Sequence, residues 1–232
     1  MGTLDLQISK FVNKHNVLAE HTAMAKAADL FKDYSLVPTT LFEIELGPNG
    51  PINKNRIRLS DDNEFIAINI GAERIDIIFD YRKGKQMSLS HAAIAAVKYL
   101  EILERIDESI NWDGKRLAYN IREQIEYSSG KSTTMYSAMV IPIDYYVPLE
   151  TVEWGTVQNR RIKWINRDIQ EDVNVFLRVD GIFNISKITP PKEAIIHIDI
   201  NTAQDNMSSR FLSDDIKEFT TYAQDISLKV AG

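Results

Sequence analysis

Apolar residues recur at two spacings along this chain, and each change of spacing marks an element. Residues 3–9 alternate, with Leu4, Leu6 and Ile8 on one side, which predicts a strand. Between residues 15 and 33 the period becomes helical, with Val17, Leu18, His21, Met24, Ala25, Ala28 and Phe31 on one stripe. Pro38 marks the exit from that helix. Four strands are expected next. Residues 40–46 place Phe42, Ile44 and Leu46 together, and Gly47-Pro48-Asn49-Gly50-Pro51 is a turn. Residues 55–60 set Ile57 and Leu59 against Arg56 and Arg58, and Asp61-Asp62-Asn63 suits a hairpin turn. Residues 64–70 align Ile66, Ile68 and Ile70; after Gly71, residues 73–80 align Ile75, Ile77 and Phe79. Short consecutive strands with tight turns predict an antiparallel meander.

The clearest helical stripe is Ala92, Ala95, Ala96, Tyr99, Ile102, Leu103, Ile106 and Ile110, within residues 89–110. Ser90 is the expected N-cap and Gly114 follows the end. The second half repeats this grammar. Residues 116–127 alternate Leu117, Tyr119, Ile121 and Ile125, although a helix remains open there. A polar loop at 128–134 and a short helix at 133–140 are expected next. Strands are expected at 152–157, 160–167, 172–180 and 194–201, then a helix at 214–229. Ser213 is its cap, and Asp214 and Asp215 sit in the first turn, where the helix dipole favours anions. Its stripe is Ile216, Phe219, Ala223, Ile226 and Val230.

The expected fold class is therefore α+β, an extended and mostly antiparallel sheet with helices packed on one face. The chain reads as a single domain over 1–232. The repeated order also admits two similar β-α-β-β-β-α halves, 1–112 and 113–232, although no residue-level repeat supports them.

Composition narrows the function classes. With 232 residues, 44% hydrophobic and 26% charged, the chain has ample material for one core. There is no cysteine, so thiolate catalysis, disulfides and cysteine-ligated metals are excluded. The net charge of −6 argues against dense coating of nucleic acid but allows a local basic patch. No apolar run is long enough for a membrane span. The first residues show no secretory pattern, so a cytoplasmic location is expected.

Two constellations could carry chemistry. In the segment 195–201, His197, Asp199 and Asn201 share the face opposite Ile196, Ile198 and Ile200. An imidazole and a carboxylate two residues apart can bind a metal jointly or act as base and orienter. Asp180 would join them if the strand at 172–180 pairs alongside, with Arg178 adjacent. Only two good ligands occur together, so an ordinary polar sheet face is the stronger reading and no metal site or cofactor is implied. Asp76 with Asp80 is a weaker carboxylate pair of the same kind.

The second constellation is basic and aromatic: Trp154, Arg160, Arg161, Lys163, Trp164 and Arg167. Alternation puts Arg161, Lys163 and Arg167 on one face, with Ile162 and Trp164 on the other. Arginine and tryptophan suit a protein hot spot and equally suit stacking and phosphate contact. No phosphate loop, G-x-S-x-G elbow or H-E-x-x-H helix is present; Gly130-Lys131-Ser132 lacks the upstream glycine of a P-loop.

Residues 56–79, from Arg56-Ile57-Arg58-Leu59 through Ile75-Asp76-Ile77-Ile78-Phe79, together with Lys115-Arg116-Leu117-Ala118-Tyr119, are similar to sporadically distributed, uncharacterised bacterial proteins. Those are met near mobile-element or antiviral defence genes. The similarity covers residues 36–125. It implies an accessory role in bacteria and assigns no site.

The expected function is a non-catalytic protein-binding module, an accessory subunit of a bacterial complex, using strand region 154–167. Another protein is the expected partner, with a homo-oligomer also open. A metal-assisted hydrolase or nuclease built on His197, Asp199 and Asp180 is one alternative. A nucleic-acid binder through residues 160–167 is the other.

Overall fold

The computed structural model describes residues 2–84, 87–126, 155–166, 169–181 and 193–231. Among them, nine strands form one sheet: β1 (Gly2–Phe11), β2 (Val37–Gly47), β3 (Gly50–Ser60), β4 (Ile66–Ile70), β5 (Arg74–Asp80), β6 (Arg116–Glu126), β7 (Gly155–Asn166), β8 (Ile169–Gly181) and β9 (Glu193–Thr202). Three α-helices accompany them: α1 (His21–Phe31), α2 (Leu89–Leu103) and α3 (Ser213–Ala231). The strand order is β2-β3-β4-β5-β1-β6-β9-β8-β7, and every neighbouring pair is antiparallel. The protein is thus α+β with an extended antiparallel sheet.

The order reads outward from a central pair, β1 and β6. Each meander ends beside the strand that began it: β5 pairs with β1, and β9 with β6. A helix follows each closure, α2 after β5 and α3 after β9. These two helices pack on each other, α2 touching β1 and α3 touching β6, β7 and β9. The alternation of isoleucine with polar residues explains the arrangement. Leu6, Ile8, Ile77, Phe79, Ile121, Ile198 and Ile200 are buried beneath the helices. The helices contribute Ala92, Ala96, Leu100, Ile216, Phe219 and Ala223 to the same core. Helical α2 suits this role because its alanines let it lie close to the sheet.

The first helix is shorter than its stripe implied. It begins at His21 rather than 15, because tertiary hydrogen bonds claim the preceding amides. Val12 N donates to Glu73 O, His15 N to Ala72 O and Ala19 N to Asn55 O. His21 is exposed, not part of the buried stripe. Helix α2 stops at Leu103, and its N-cap is Ser88, whose hydroxyl accepts from His91 N at 3.2 Å, instead of Ser90. Helix α3 begins at Ser213 itself, and the carboxylate of Asp215 in its first turn reaches back to accept from Leu212 N at 2.9 Å. Pro38 does not follow a helix end directly; it sits inside β2. The two strands expected at 152–157 and 160–167 form one, Gly155–Asn166. The expected loop at 128–134 and helix at 133–140 lie outside the described residues.

His15 reports on the packing of the segment before α1. Its ring lies 4.8 Å from that of Trp112, and Val17 N donates to its Nδ1 at 3.3 Å. Its Nε2 is buried with no partner among the described residues. Burial, aided by the nearby Arg56 charge, lowers its pKa from 6.5 to about 4. Folding therefore favours the neutral ring. Stability from this residue is complete above pH 6.5. It is lost as pH falls toward 4, because the unfolded chain takes up a proton that the folded chain refuses. The expected loss is up to about 3 kcal/mol. Urea unfolding across that pH range checks it: His15→Phe should flatten the slope, and an unchanged slope would assign the acid sensitivity elsewhere.

Candidate interaction surfaces

The face of the sheet opposite the helices is polar and internally paired. Register places Arg122 and Arg178 on either side of His197, and Asn120 and Phe176 on either side of Asp199. His197 Nε2 is hydrogen-bonded to Asn120 Oδ1 at 3.3 Å, and Asp199 accepts from Asn201 Nδ2 at 2.9 Å. Arg178 does neighbour His197, as strand pairing implied. Asp180, however, lies opposite Ile195 and binds Arg178 at 2.6 Å. The three residues of the enzyme reading thus share a face, but each carboxylate is engaged with an arginine or an amide. No group of three or more His, Asp or Glu able to hold a metal occurs among the described residues. Asp76 is likewise engaged, accepting from Ser9 Oγ at 2.6 Å, Gln7 Nε2 at 2.9 Å and Arg74 Nε at 2.9 Å.

The basic strand divides between two faces. Arg161 and Lys163 are exposed on the open face, while Ile162 and Trp164 turn toward the helices, as alternation predicted. Lys163 binds Asp172 at 2.6 Å, and Arg161 reaches Asp205 at 3.5 Å and Asn174 at 3.2 Å. Arg160 is exposed on the opposite side of the strand. Trp164 is 3% exposed and packs against the rings of Phe211, Phe219 and Tyr222. This removes Trp164 from any contact surface; its indole is part of the core under α3. Trp154 and Arg167 lie outside the described residues. Arg122–Asp5, Arg74–Asp76 and Arg178–Asp180 add further neutralised cations on the open face.

A row of exposed apolar side chains lies elsewhere among the described residues. Strands β2 and β3 are each 11 residues long, whereas β4 has only 5. β4 reaches β3 no further than Ile57, so residues 50–56 run beyond it with β2 as their only ladder partner. The hairpin they form therefore projects past the core. Its two faces differ sharply. On one, Phe42, Ile44 and Leu46 are 76%, 70% and 88% exposed, opposite Asn55, Asn53 and Pro51. This face carries no charge. On the other, Glu43 and Glu45 both bind the guanidinium of Arg56, which is fully buried. Arg56 also donates to the carbonyl oxygen of Val17 at 2.8 Å, and Glu43 accepts from Ala72 N at 3.0 Å. Lys14 binds Glu45 at 2.8 Å. The charged face thus clamps the hairpin base to segment 14–17 and to the β4–β5 turn, and leaves the apolar face outward.

Sequence periodicity grouped Phe42, Ile44 and Leu46 on one face but did not say whether that face is covered. A signal against burial was present. Their cross-strand neighbours are asparagine and proline, whereas covered strands of this sheet oppose isoleucine to isoleucine.

No family model and no curated protein matches the sequence. No described helix is long and apolar enough to cross a membrane.

Proposed function

We propose that this chain is a non-catalytic protein-binding module whose contact surface is the apolar face of the β2–β3 hairpin. One observation carries the reading: three large apolar side chains stand 70% or more exposed in a row, on a hairpin held rigidly at its base. Contiguous exposed apolar surface of this kind marks an interaction site on a folded protein. A rigid base lowers the ordering cost of docking. The paired state of His197, Asp199 and Asp180 favours binding over catalysis. The similarity of residues 36–125 to uncharacterised bacterial proteins met near mobile-element or defence genes supports a role as a subunit of a larger complex, with antiviral defence as one setting.

Gentle capture of the tagged chain from its source cells, followed by native mass spectrometry, tests this. A stoichiometric partner should be retained by Arg161→Ala with Lys163→Ala. Phe42→Ser with Leu46→Ser should lose it, with affinity falling on the order of 100-fold for two exposed anchors. The same pair should leave stability within about 0.5 kcal/mol, since neither side chain is buried in the free chain. Retention by the hairpin variant and loss by the basic variant would move the surface to β7.

A further inference from the structure

The edge of β2 has a hydrogen-bonding pattern of its own. The hairpin closes at Gly47–Gly50 across the two-residue turn Pro48–Asn49, with Gly50 at φ +114°. The closing pair of such a turn is hydrogen-bonded, so odd-numbered residues of β2 bond to β3 and even-numbered ones face away. Thr40, Phe42, Ile44 and Leu46 therefore present their N–H and C=O groups at the rim of the sheet, where β2 is the terminal strand among the described residues. Pro38 occupies the next outward position, where its missing N–H costs no bond to β3. The edge lacks the outward lysine that blocks pairing in many sheets.

We propose that the chain forms a two-fold dimer by antiparallel pairing of β2 with β2 of a second copy, with the axis at Phe42. The proposal rests on the hairpin being the contact surface, and names a second copy as an occupant of its edge. Self-complementarity selects this register. β2 runs from 37 to 47, so an axis at 42 pairs it over its whole length. Glu43 then faces Leu41 of the second copy and Glu45 faces Thr39. An axis at 43 would oppose Glu43 to itself, and one at 44 would oppose Glu43 to Glu45; like charges directly opposite are destabilising. The net charge of −6 hinders association little here, because Arg56 and Lys14 neutralise both glutamates. Pairing leaves the apolar face uncovered and joins Thr40, Phe42, Ile44 and Leu46 of both copies into one broad surface for a further partner.

The purified chain alone tests this. Sedimentation equilibrium should show a reversible monomer–dimer transition. Ile44→Pro, which removes an outward N–H on a hairpin beyond the core, should raise the dimer dissociation constant about tenfold or more. The chain contains no cysteine, so single cysteines report the axis cleanly. Residues opposite each other in a hydrogen-bonded pair have Cα atoms about 5.5 Å apart, within disulfide reach. Oxidative cross-linking should be fastest for Phe42→Cys and slower for Glu43→Cys and Ile44→Cys. A monomer at all concentrations, a dimer insensitive to Ile44→Pro, or fastest cross-linking at 43 or 44 would overturn the proposal. A monomer that still captures a partner through Phe42 and Leu46 would overturn the dimer while sparing the binding function.

Discussion

Replacing Arg56 with methionine should destabilise the protein by about 3 kcal/mol, the lower end of the range for breaking a buried ion pair. The guanidinium is fully buried and satisfies four acceptors: the carboxylates of Glu43 and Glu45 and the carbonyl oxygens of His15 and Val17. Methionine fills most of the volume and none of the bonds. Two carboxylates would then repel each other across one strand face, with two carbonyls left unpaired. The lower end applies because Glu43 and Glu45 keep 30% and 16% exposure, so water partly compensates. Arg56→Lys should recover little, since an ammonium cannot reach these acceptors with a planar fork. Urea unfolding followed by tryptophan fluorescence measures the change. A loss below about 1 kcal/mol would show that the clamp contributes little, and that the hairpin is held by its ladder alone.

Trp164→Ala should cost about 3–5 kcal/mol, the usual penalty for truncating a buried tryptophan. Its ring contacts Phe219 at 5.3 Å, Phe211 at 6.1 Å and Tyr222 at 6.3 Å, bringing β7 under α3. Tyr222 also donates to Lys163 O at 3.1 Å, so the same junction is tied by a hydrogen bond. Truncation would leave a cavity between sheet and helix that neither can collapse without losing the other contacts. Trp164→Phe should cost clearly less. The calorimetric midpoint separates these outcomes. A stable Trp164→Ala protein with weakened partner binding would instead return Trp164 to the surface role its neighbours Arg161 and Lys163 suggest by sequence.

Much of the architecture was legible because local pattern and global burial agree in this chain. Strands β4, β5, β6, β8 and β9 alternate large apolar residues with small or polar ones, and the apolar side of each joins the buried core that α2 and α3 also enter. The sheet order was not legible. It depends on β6 returning beside β1, a contact between residues more than 100 apart that no local period encodes. The start of α1 was missed because the competing hydrogen bonds come from Ala72, Glu73 and Asn55, on other strands. The candidate surface was half legible. Periodicity found the row Phe42, Ile44 and Leu46, yet exposure depends on β4 ending early, which only pairing reveals. The basic–aromatic cluster is divided as alternation implied: Arg161 and Lys163 stand on the open face, and Trp164 on the other side is buried, a depth that only the packing of α3 reveals.

Amide exchange in the free chain and in its captured complex measures the central claim most directly. In the free monomer, the outward amides of Thr40, Phe42, Ile44 and Leu46 have no ladder partner on β3 and should exchange fast, while those of Leu41, Glu43 and Glu45 exchange slowly. Binding at the hairpin should slow exchange across 37–56 and leave β7 unchanged. Protection confined to β7 or to the open face around His197, with 37–56 unaffected, would contradict the hairpin as the site of contact.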